Sequence, residues 1–425
     1  MLVSDLFWKK IVILWFWAEG KSTLEFLNKI WIKSSITILD KNKNNYSWDF
    51  DFIYWDNYLD DLSSFDIIIK SPWISPYNPK ISPYKNKLTS QTEIFYSNYK
   101  WKIISVTATK WKSTTSTLIY ETLKLAWYKV KLVWNIWTPV LTDFALDDVF
   151  DYVIYELSSY MLENLNKSDY ISILWNIYPD HLDRHDWFDN YKRAKKAVLA
   201  WSEFSLVRDF LDVSSDNILK FWKTWDFTYF ASEFFIRWDK VFSDSDFLLD
   251  WEHNMFNICS VMWVCDIIWV DISNLIEVCK TFSWLPYRLE KVSEINSILF
   301  IDDSLSTTPE STMEAVKTYN TRIWTIILWW FDRWYDYFRL IDLLNYYKVK
   351  NFVLLPDTHN KIIELLDKES NYIVTKSMEE AVNFSYKNTK KWWIVLLSTA
   401  APSYNLWANY KEKSDSFRNS IALLK

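Results

Sequence analysis

The chain has 425 residues and a formal net charge of −6, with 50% hydrophobic and 24% charged residues. That balance fits a globular chain of two or three domains with a sizeable core, and it gives no general affinity for polyanions, so nucleic acid is not an expected partner. An ordinary composition is excluded: the chain carries 29 Trp and a single Gly, where an average chain of this length has ~7% glycine, roughly 30 residues.

Tight turns, helix C-caps and phosphate loops need φ > 0 or a missing Cβ, so a folded α/β chain with one glycine is physically hard to build. The tryptophan excess matches the glycine deficit. The expectation is that most tryptophans stand for glycine, through a reading frame in which UGA encodes glycine but was translated as tryptophan. The competing reading is a Trp-rich carbohydrate-binding surface, which requires the indoles on one exposed face. Three cysteines, Cys259, Cys265 and Cys279, are too few for a disulfide framework and lack zinc spacing, which suits a reducing compartment. The first apolar run lacks a preceding basic segment and is too short to span a bilayer. The expectation is a cytoplasmic chain without a membrane partner.

In chain order, KKIVILWFWAEGKSTLEFLNK reads as strand, turn and helix, and ITILD as a second strand ending at Asp40. FDIIIKSPWIS reads as a strand ending in a loop, and IISVTATKWKSTTSTLIYETLKLA repeats strand, loop and helix. VFDYVIYELSSY and YISILWNIYPDHLDRH add strands with polar carboxyl ends. After FSWLPYRLEKV the pattern restarts through ILFIDDS, TIILWWFDR, NFVLLP and IVLLS. Strands alternating with helices predict α/β architecture with parallel sheets. The expected domains are 1–94, 95–283 and 284–425.

Two loops carry phosphate chemistry. With glycine at Trp15 and Trp17, Leu14–Ser22 contains G-F-G-A-E-G, the G-x-G-x-x-G turn, ending at Gly20 with Asp40 beyond it. Such a turn brings backbone N–H groups and a helix N-terminus to a diphosphate. It does not distinguish a dinucleotide from a nucleotide sugar. With glycine at Trp111, Ala108–Thr115 reads A-T-K-G-K-S-T-T, a phosphate loop in which Lys112 meets the β/γ-phosphates and Ser113 or Thr114 holds Mg²⁺. Ala108 replaces the first glycine of the usual pattern. Polar residues at further strand ends are Asn135, Glu156, His181 and Asp183. Oxygen ligands with one imidazole suit Mg²⁺ or Mn²⁺ near a triphosphate.

Read with glycine at tryptophan, these motifs resemble the Mur ligases of peptidoglycan synthesis over nearly the whole chain. The resemblance runs through T-K-G-K-S-T-T at 109–115, N-I-G-T-P at 135–139, E-L-S-S-Y-M-L-E at 156–163 and D-H-L-D-R-H at 180–185. It continues through N-Y-K-R-A-K at 190–195, E-H-N-M-F-N at 252–257, G-L-P-Y-R-L-E at 284–290 and D-S-L-S-T-T-P-E at 303–310. It ends with G-G-F-D-R-G at 329–334 and L-L-S-T-A-A-P-S at 396–403. Trp73, Trp111, Trp134, Trp137, Trp284, Trp329, Trp330 and Trp334 sit where the family places glycine, while Trp407 sits where it has an aromatic.

The resemblance implies three domains: a Rossmann-like first domain, a central P-loop ATPase and a Rossmann-like third domain. The motifs are nearest to the member that adds glutamate to UDP-N-acetylmuramoyl-L-alanine, a monomer working in the cytoplasm. ATP would phosphorylate the substrate carboxylate, and the glutamate amine would attack the acyl phosphate. The implied catalytic residues are Lys112, Asn135, Glu156, His181 and Lys195. Thr109, Lys110, Trp111, Lys112, Ser113, Thr114, Asn254, Arg288 and Asp303 would bind ATP. Ser113, Glu156, His181 and Lys195, the last as a carbamate, would hold two Mg²⁺. Trp15, Trp17, Gly20, Asp40, Ser71 and Ser158 would bind the UDP-sugar, with the loop Ser71–Ser75 facing the diphosphate. Arg333, Thr307 and Ser398 would bind glutamate. Leu305 stands where a common version of the motif has lysine, and Arg333 replaces a lysine. The first departure resembles a sub-group using L-glutamate in place of D-glutamate. A polyglutamylating ligase acting on another acceptor is the other alternative.

Overall fold

A computed structural model describes the chain apart from residues 17, 42–50, 55–56, 135–138, 143, 164, 166–168, 180–181, 201, 209–210, 212–217, 222–226, 245–246, 248–251, 283–284, 307, 330–336, 356–361, 402–405 and 425. It divides into two compact units, Met1–Phe282 and Ser283–Lys425.

The first unit holds two parallel sheets. One comprises β1 (Lys10–Leu14), β2 (Ser35–Asp40), β3 (Asp51–Tyr54), β4 (Ile67–Lys70) and β5 (Leu88–Thr89), in the order β3-β2-β1-β4-β5. After β1 the chain steps to one side for β2 and later to the other for β4, so the crevice at the carboxyl end of β1 is a topological switch point, where α/β sheets bind ligands. The second sheet comprises β6 (Lys102–Thr107), β7 (Val130–Val133), β8 (Tyr152–Glu156), β9 (Ile171–Leu174), β10 (Phe204–Arg208) and β11 (Ile218–Phe221), in the order β11-β10-β9-β6-β8-β7. Here β6 is central, flanked by β8 and β9. The strands IIIK and ISIL are buried at every position, as expected of parallel strands covered by helices on both faces. Helix α1 (Ala18–Lys29) follows β1, α2 (Gln91–Asn98) precedes β6, and α3 (Lys112–Leu125) follows β6. An antiparallel meander, β12 (Phe227–Phe230), β13 (Glu233–Ile236) and β14 (Asp239–Ser243), packs its Phe234 against Phe242 with ring centroids 4.5 Å apart.

The second unit is built on β15 (Glu290–Ile295), β16 (Ile298–Asp302), β17 (Ile323–Trp329), β18 (Asn351–Leu355), β19 (Asn371–Val374) and β20 (Ile394–Leu397), in the order β15-β16-β20-β17-β18-β19. Within this sheet only the β15–β16 pair is antiparallel among the described strands. Phe300, Ile327, Val353, Val395 and Phe417 form its core.

Backbone conformation bears on the tryptophan excess. Among the described residues nineteen other than glycine have positive φ, and eight of them are tryptophan: Trp8, Trp15, Trp31, Trp111, Trp127, Trp238, Trp269 and Trp392. A bulky side chain in this region is an outlier, because its Cβ crowds the backbone. Three of the eight occupy the position that closes a Schellman motif. After α3, Trp127 N–H donates to Lys124 O and Tyr128 N–H to Leu123 O. After α1, Trp31 N–H donates to Asn28 O and Ile32 N–H to Leu27 O. After the helix Glu252–Ile268, Trp269 N–H donates to Asp266 O and Val270 N–H to Cys265 O. Glycine is the favoured residue there. The indoles gain nothing from burial in exchange: Trp31, Trp127 and Trp269 are 86%, 94% and 92% exposed. Gly20 shows the complementary constraint. A Cβ added there would lie 2.8 Å from the Trp15 carbonyl oxygen, so the first turn of α1 packs on the end of β1 only because this residue has no side chain.

Candidate active site

The loop between β6 and α3 is built by its neighbours. Thr109 and Lys110 N–H both donate to Asn176 Oδ1 at 3.0 Å, and Asn176 Nδ2 returns a bond to Lys110 O at 3.2 Å. Asn176 is fully buried just past the end of β9, the strand beside β6. Thr109 Oγ1 also pairs with Tyr191 OH at 2.8 Å and accepts from Tyr178 N–H at 2.9 Å. Trp111, at φ 75°, caps α3, whose first turn presents the buried Ser113 and Thr114. The Lys112 ammonium folds back onto Ala108 O at 2.9 Å and Thr109 O at 3.3 Å.

Three of the expected catalytic residues gather at this end of the sheet. Glu156 is buried at the carboxyl end of β8, in register with Val106 of β6. The next residues stitch the two strands together, with Leu157 N–H donating to Val106 O and Thr107 Oγ1 to Leu157 O. Helix α4 (Ser159–Leu162) follows β8; α5 (Leu182–His185) and α6 (Phe188–Lys196) follow β9. Lys195 of α6 is buried, with Nζ 2.7 Å from Ala108 O and 3.3 Å from Thr107 Oγ1. Lys112 and Lys195 therefore donate to the same carbonyl oxygen. Asn254 is buried and accepts from Asn257 Nδ2 at 3.3 Å, while Asn257 Oδ1 accepts from Thr115 Oγ1 of α3 at 3.0 Å. Asn135 and His181 lie outside the described residues, and no group of three or more His, Cys, Asp or Glu suited to a metal occurs among the described ones.

At the carboxyl end of β1, Phe16 N–H donates to Asp40 Oδ2 at 2.7 Å and Trp15 N–H to Leu39 O at 2.9 Å. Ser71 N–H donates to Leu14 O at 3.3 Å, and Ser71 Oγ to Glu19 Oε2 at 2.8 Å. Trp15, Gly20, Asp40 and Ser71 thus converge on one switch point, while Trp17 lies outside the described residues. Ser158 is the N-cap of α4, accepting from Met161 N–H. Burial raises the Glu19 carboxyl above its ordinary range, against the opposing Ser71 hydrogen bond and the Lys70 charge.

In the second unit, Asp303 and Ser398, expected at separate ligands, touch each other: Ser398 Oγ donates to Asp303 Oδ2 at 2.7 Å. Thr312 Oγ1 lies 2.9 Å from Ser398 Oγ. Burial pushes the Asp303 carboxyl up to about 6, against hydrogen bonds from Ser306 and Ser398 and the charge of Arg288. Thr307 and Arg333 lie outside the described residues.

Residues 106–224 match the Mur ligase middle domain. A UDP-N-acetylmuramoylalanine–D-glutamate ligase of Clostridium tetani is 27% identical over 450 residues, covering 97% of this chain and 96% of that one. The enzyme of the same name from Clostridium botulinum is 26% identical over 447 residues, with coverage of 97% and 96%. The chain carries a Mur ligase middle domain and is similar to Mur ligases over nearly its whole length. It is accordingly an ATP-dependent enzyme that forms an amide bond. Among solved structures, the UDP-N-acetylmuramate-alanine ligase MurC of Thermotoga maritima shares the fold with a TM-score of 0.62 at 14% identity, covering 98% of this chain and all of that one (100%). MurF ligase of Thermotoga maritima, in complex with ADP, gives 0.61 at 13% identity, with coverage of 100% and 98%.

Asn176 was not among the residues expected from the sequence. Its signal was present: a polar residue directly after the apolar run I-S-I-L-W, on a strand that would neighbour the phosphate-loop strand. Asn176→Ala is expected to weaken ADP binding about tenfold and to destabilise the fold by about 1–3 kcal/mol, since two buried N–H groups lose an acceptor; calorimetric titration and thermal melts measure both. Asp303 gives a pH prediction. Its folded-state value is raised, so its stabilising contribution is complete below the unfolded value and is lost as pH rises through about 6. The melting temperature of Asp303→Asn relative to the parent is expected to be higher at about pH 7.5 than at about pH 4.5.

Proposed function

We propose that this chain adds glutamate, D-glutamate in the first instance, to UDP-N-acetylmuramoyl-L-alanine in the cytoplasm. The observation that carries the reading is the similarity to enzymes named UDP-N-acetylmuramoylalanine–D-glutamate ligase over 97% of the chain. The arrangement at β1 supports a nucleotide-sugar site in residues 1–94. The β6 loop supports an ATP site in 95–283, and residues 284–425 would take the amino acid through Arg333, Thr307 and Ser398 and reach ATP through Arg288 and Asp303.

A free carboxylate is a poor electrophile, and transfer of the γ-phosphoryl group supplies a leaving group. Catalysis then rests on position and on neutralising developing charge. Lys112 would leave its loop carbonyls for the β/γ-phosphates. Asn135 would assist there, and Asn176 keeps the loop's N–H groups in place. The donors fit Mg²⁺: Ser113, Glu156 and His181 offer hard oxygen and one imidazole. When bound, two Mg²⁺ would screen the phosphates. Lys195 Nζ stands 2.7 Å from Ala108 O beside this loop, and carbamylation would make the side chain an oxygen donor. After acyl phosphate formation, the glutamate amine attacks the acyl carbon and inorganic phosphate departs.

L-glutamate is a second reading, favoured by Leu305 in D-S-L-S-T-T. The test is ADP release by the full-length chain, made with glycine at UGA codons, with UDP-N-acetylmuramoyl-L-alanine, ATP and each glutamate enantiomer. Release that needs all three substrates supports the reading, and the productive enantiomer decides the chirality. Release with neither enantiomer refutes it.

A further inference from the structure

The loop Ser71–Ser75 and the segment after His181 are joined by a charged clamp that the ligase reading does not use. Arg184 of α5 forms a bidentate pair with Glu163, Nη1 to Oε1 at 2.9 Å and Nη2 to Oε2 at 2.7 Å. The same Nη2 donates to Pro72 O at 2.8 Å and Ile74 O at 3.0 Å. Lys70 Nζ reaches Ile74 O at 3.3 Å. His185 Nδ1 lies 3.2 Å from Glu163 Oε1, and its Nε2 is 2.9 Å from Ser159 Oγ. The Arg184, Glu163 and His185 side chains are at most 8% exposed. Desolvation alone would raise the Glu163 carboxyl, but the His185 hydrogen bond and the Arg184 charge hold it below its ordinary value. Tyr160 lies between the Trp73 ring at 5.6 Å and the Arg184 guanidinium at 5.0 Å.

A buried ion pair is weak as a source of stability, because desolvating both charges offsets their attraction, and its best-attested use is to specify geometry. Here the geometry specified is the separation of two loops from different sheets. An arginine fork is suited to that task, since it holds a carboxylate and further acceptors in one plane.

We propose that Arg184 is a positioning residue for the ligation: by gripping Glu163 and the Pro72 and Ile74 carbonyls, it sets the UDP-sugar loop 71–75 in register with α5, which begins directly after His181. This rests on the assignment of 71–75 to the UDP-sugar and of His181 to the catalytic centre. Among the described residues the clamp's hydrogen bonds reach none of the 108–115 loop, so its loss should reach the sugar nucleotide and spare ADP.

The test compares the parent with Arg184→Lys and Glu163→Gln, using the full-length chain with glycine at UGA codons. Calorimetric titrations use UDP-N-acetylmuramoyl-L-alanine and, separately, ADP, alongside steady-state ADP release. The expected result for both variants is a fall of about 100-fold in kcat/KM for the UDP-sugar, the scale of a misplacement near 1 Å. ADP affinity should stay within about twofold, and the double variant should be no worse than the weaker single one, as for residues acting as one unit. Unchanged sugar binding and turnover in both variants overturns the proposal. So does a parallel loss of ADP and UDP-sugar affinity with a lowered melting temperature, which marks a merely structural clamp. A parent that neither binds the UDP-sugar nor releases ADP overturns the ligase reading and the role of Arg184 with it. A parent that turns over, matched by Arg184→Lys, overturns the positioning role alone.

Discussion

Lys112→Met is expected to lower ADP release at least ~10³-fold with little change in melting temperature. The side chain sits at the first position of α3, and its ammonium donates to its own loop's carbonyls at Ala108 and Thr109. Those contacts place a cation beside the helix N-terminus, where the β- and γ-phosphates of a nucleotide are held. Charge on the transferring phosphoryl group grows in the transition state, and a single preorganised donor or cation there is worth about 10²–10⁵ in rate. The methionine keeps the length and the apolar stem, so packing survives while the charge is lost. Steady-state ADP release and thermal melts on parent and variant check both halves. A variant retaining a tenth of parental turnover would remove Lys112 from the catalytic machinery.

The second large effect concerns the left-handed tryptophans. Glycine at Trp8, Trp15, Trp31, Trp111, Trp127, Trp238, Trp269 and Trp392 is expected to raise the melting temperature by about 10 °C or more. Each left-handed non-glycine residue costs about 1–2 kcal/mol, so eight positions amount to on the order of 10 kcal/mol, comparable to the ~5–15 kcal/mol that holds a typical domain folded. Activity should appear with the glycine at 111, since the α3 N-cap sits at φ 75° and a residue without Cβ there lets the backbone approach a phosphate closely. Melts and ADP release on the chain made with each residue set measure the difference. Equal stability and activity would mean that the indoles are native. The six tryptophans at 8, 31, 127, 238, 269 and 392 are exposed, but three of them sit on Schellman ends of three different helices. That distribution follows backbone geometry and not one sugar-binding face.

The parts of the fold that announce themselves in the sequence are those with local causes. Apolar runs such as K-I-V-I-L, I-I-S-V-T and I-S-I-L became buried parallel strands, and polar residues expected at strand ends, Glu156 and Asp40 among them, lie buried at the carboxyl ends of β8 and β2. The phosphate loop was legible because strand, loop and helix lie within one short stretch. The meander β12–β14 was not legible. Its strands F-T-Y-F and E-F-F-I mix aromatic and polar residues without clean alternation, and their pairing depends on contacts with one another. The sheet orders were likewise set by long-range packing.

The clamp was hidden for the same reason. Arg184 reads as one more residue of D-H-L-D-R-H, and Glu163 as the end of E-L-S-S-Y-M-L-E. Only the fold brings both to Pro72 and Ile74, which lie 112 and 110 positions from Arg184 in the chain. Asp303 and Ser398, 95 positions apart, meet in the same way. The chemistry of each residue was readable in isolation, while its partner was not.

Everything turns on which residue the cell places at the left-handed helix ends. Peptide mass spectrometry of the native protein, read across residues 31, 127 and 269, tests this directly. Glycine is expected at all three. Tryptophan at those positions would contradict that expectation, and would leave three exposed indoles in strained backbone with no physical cause.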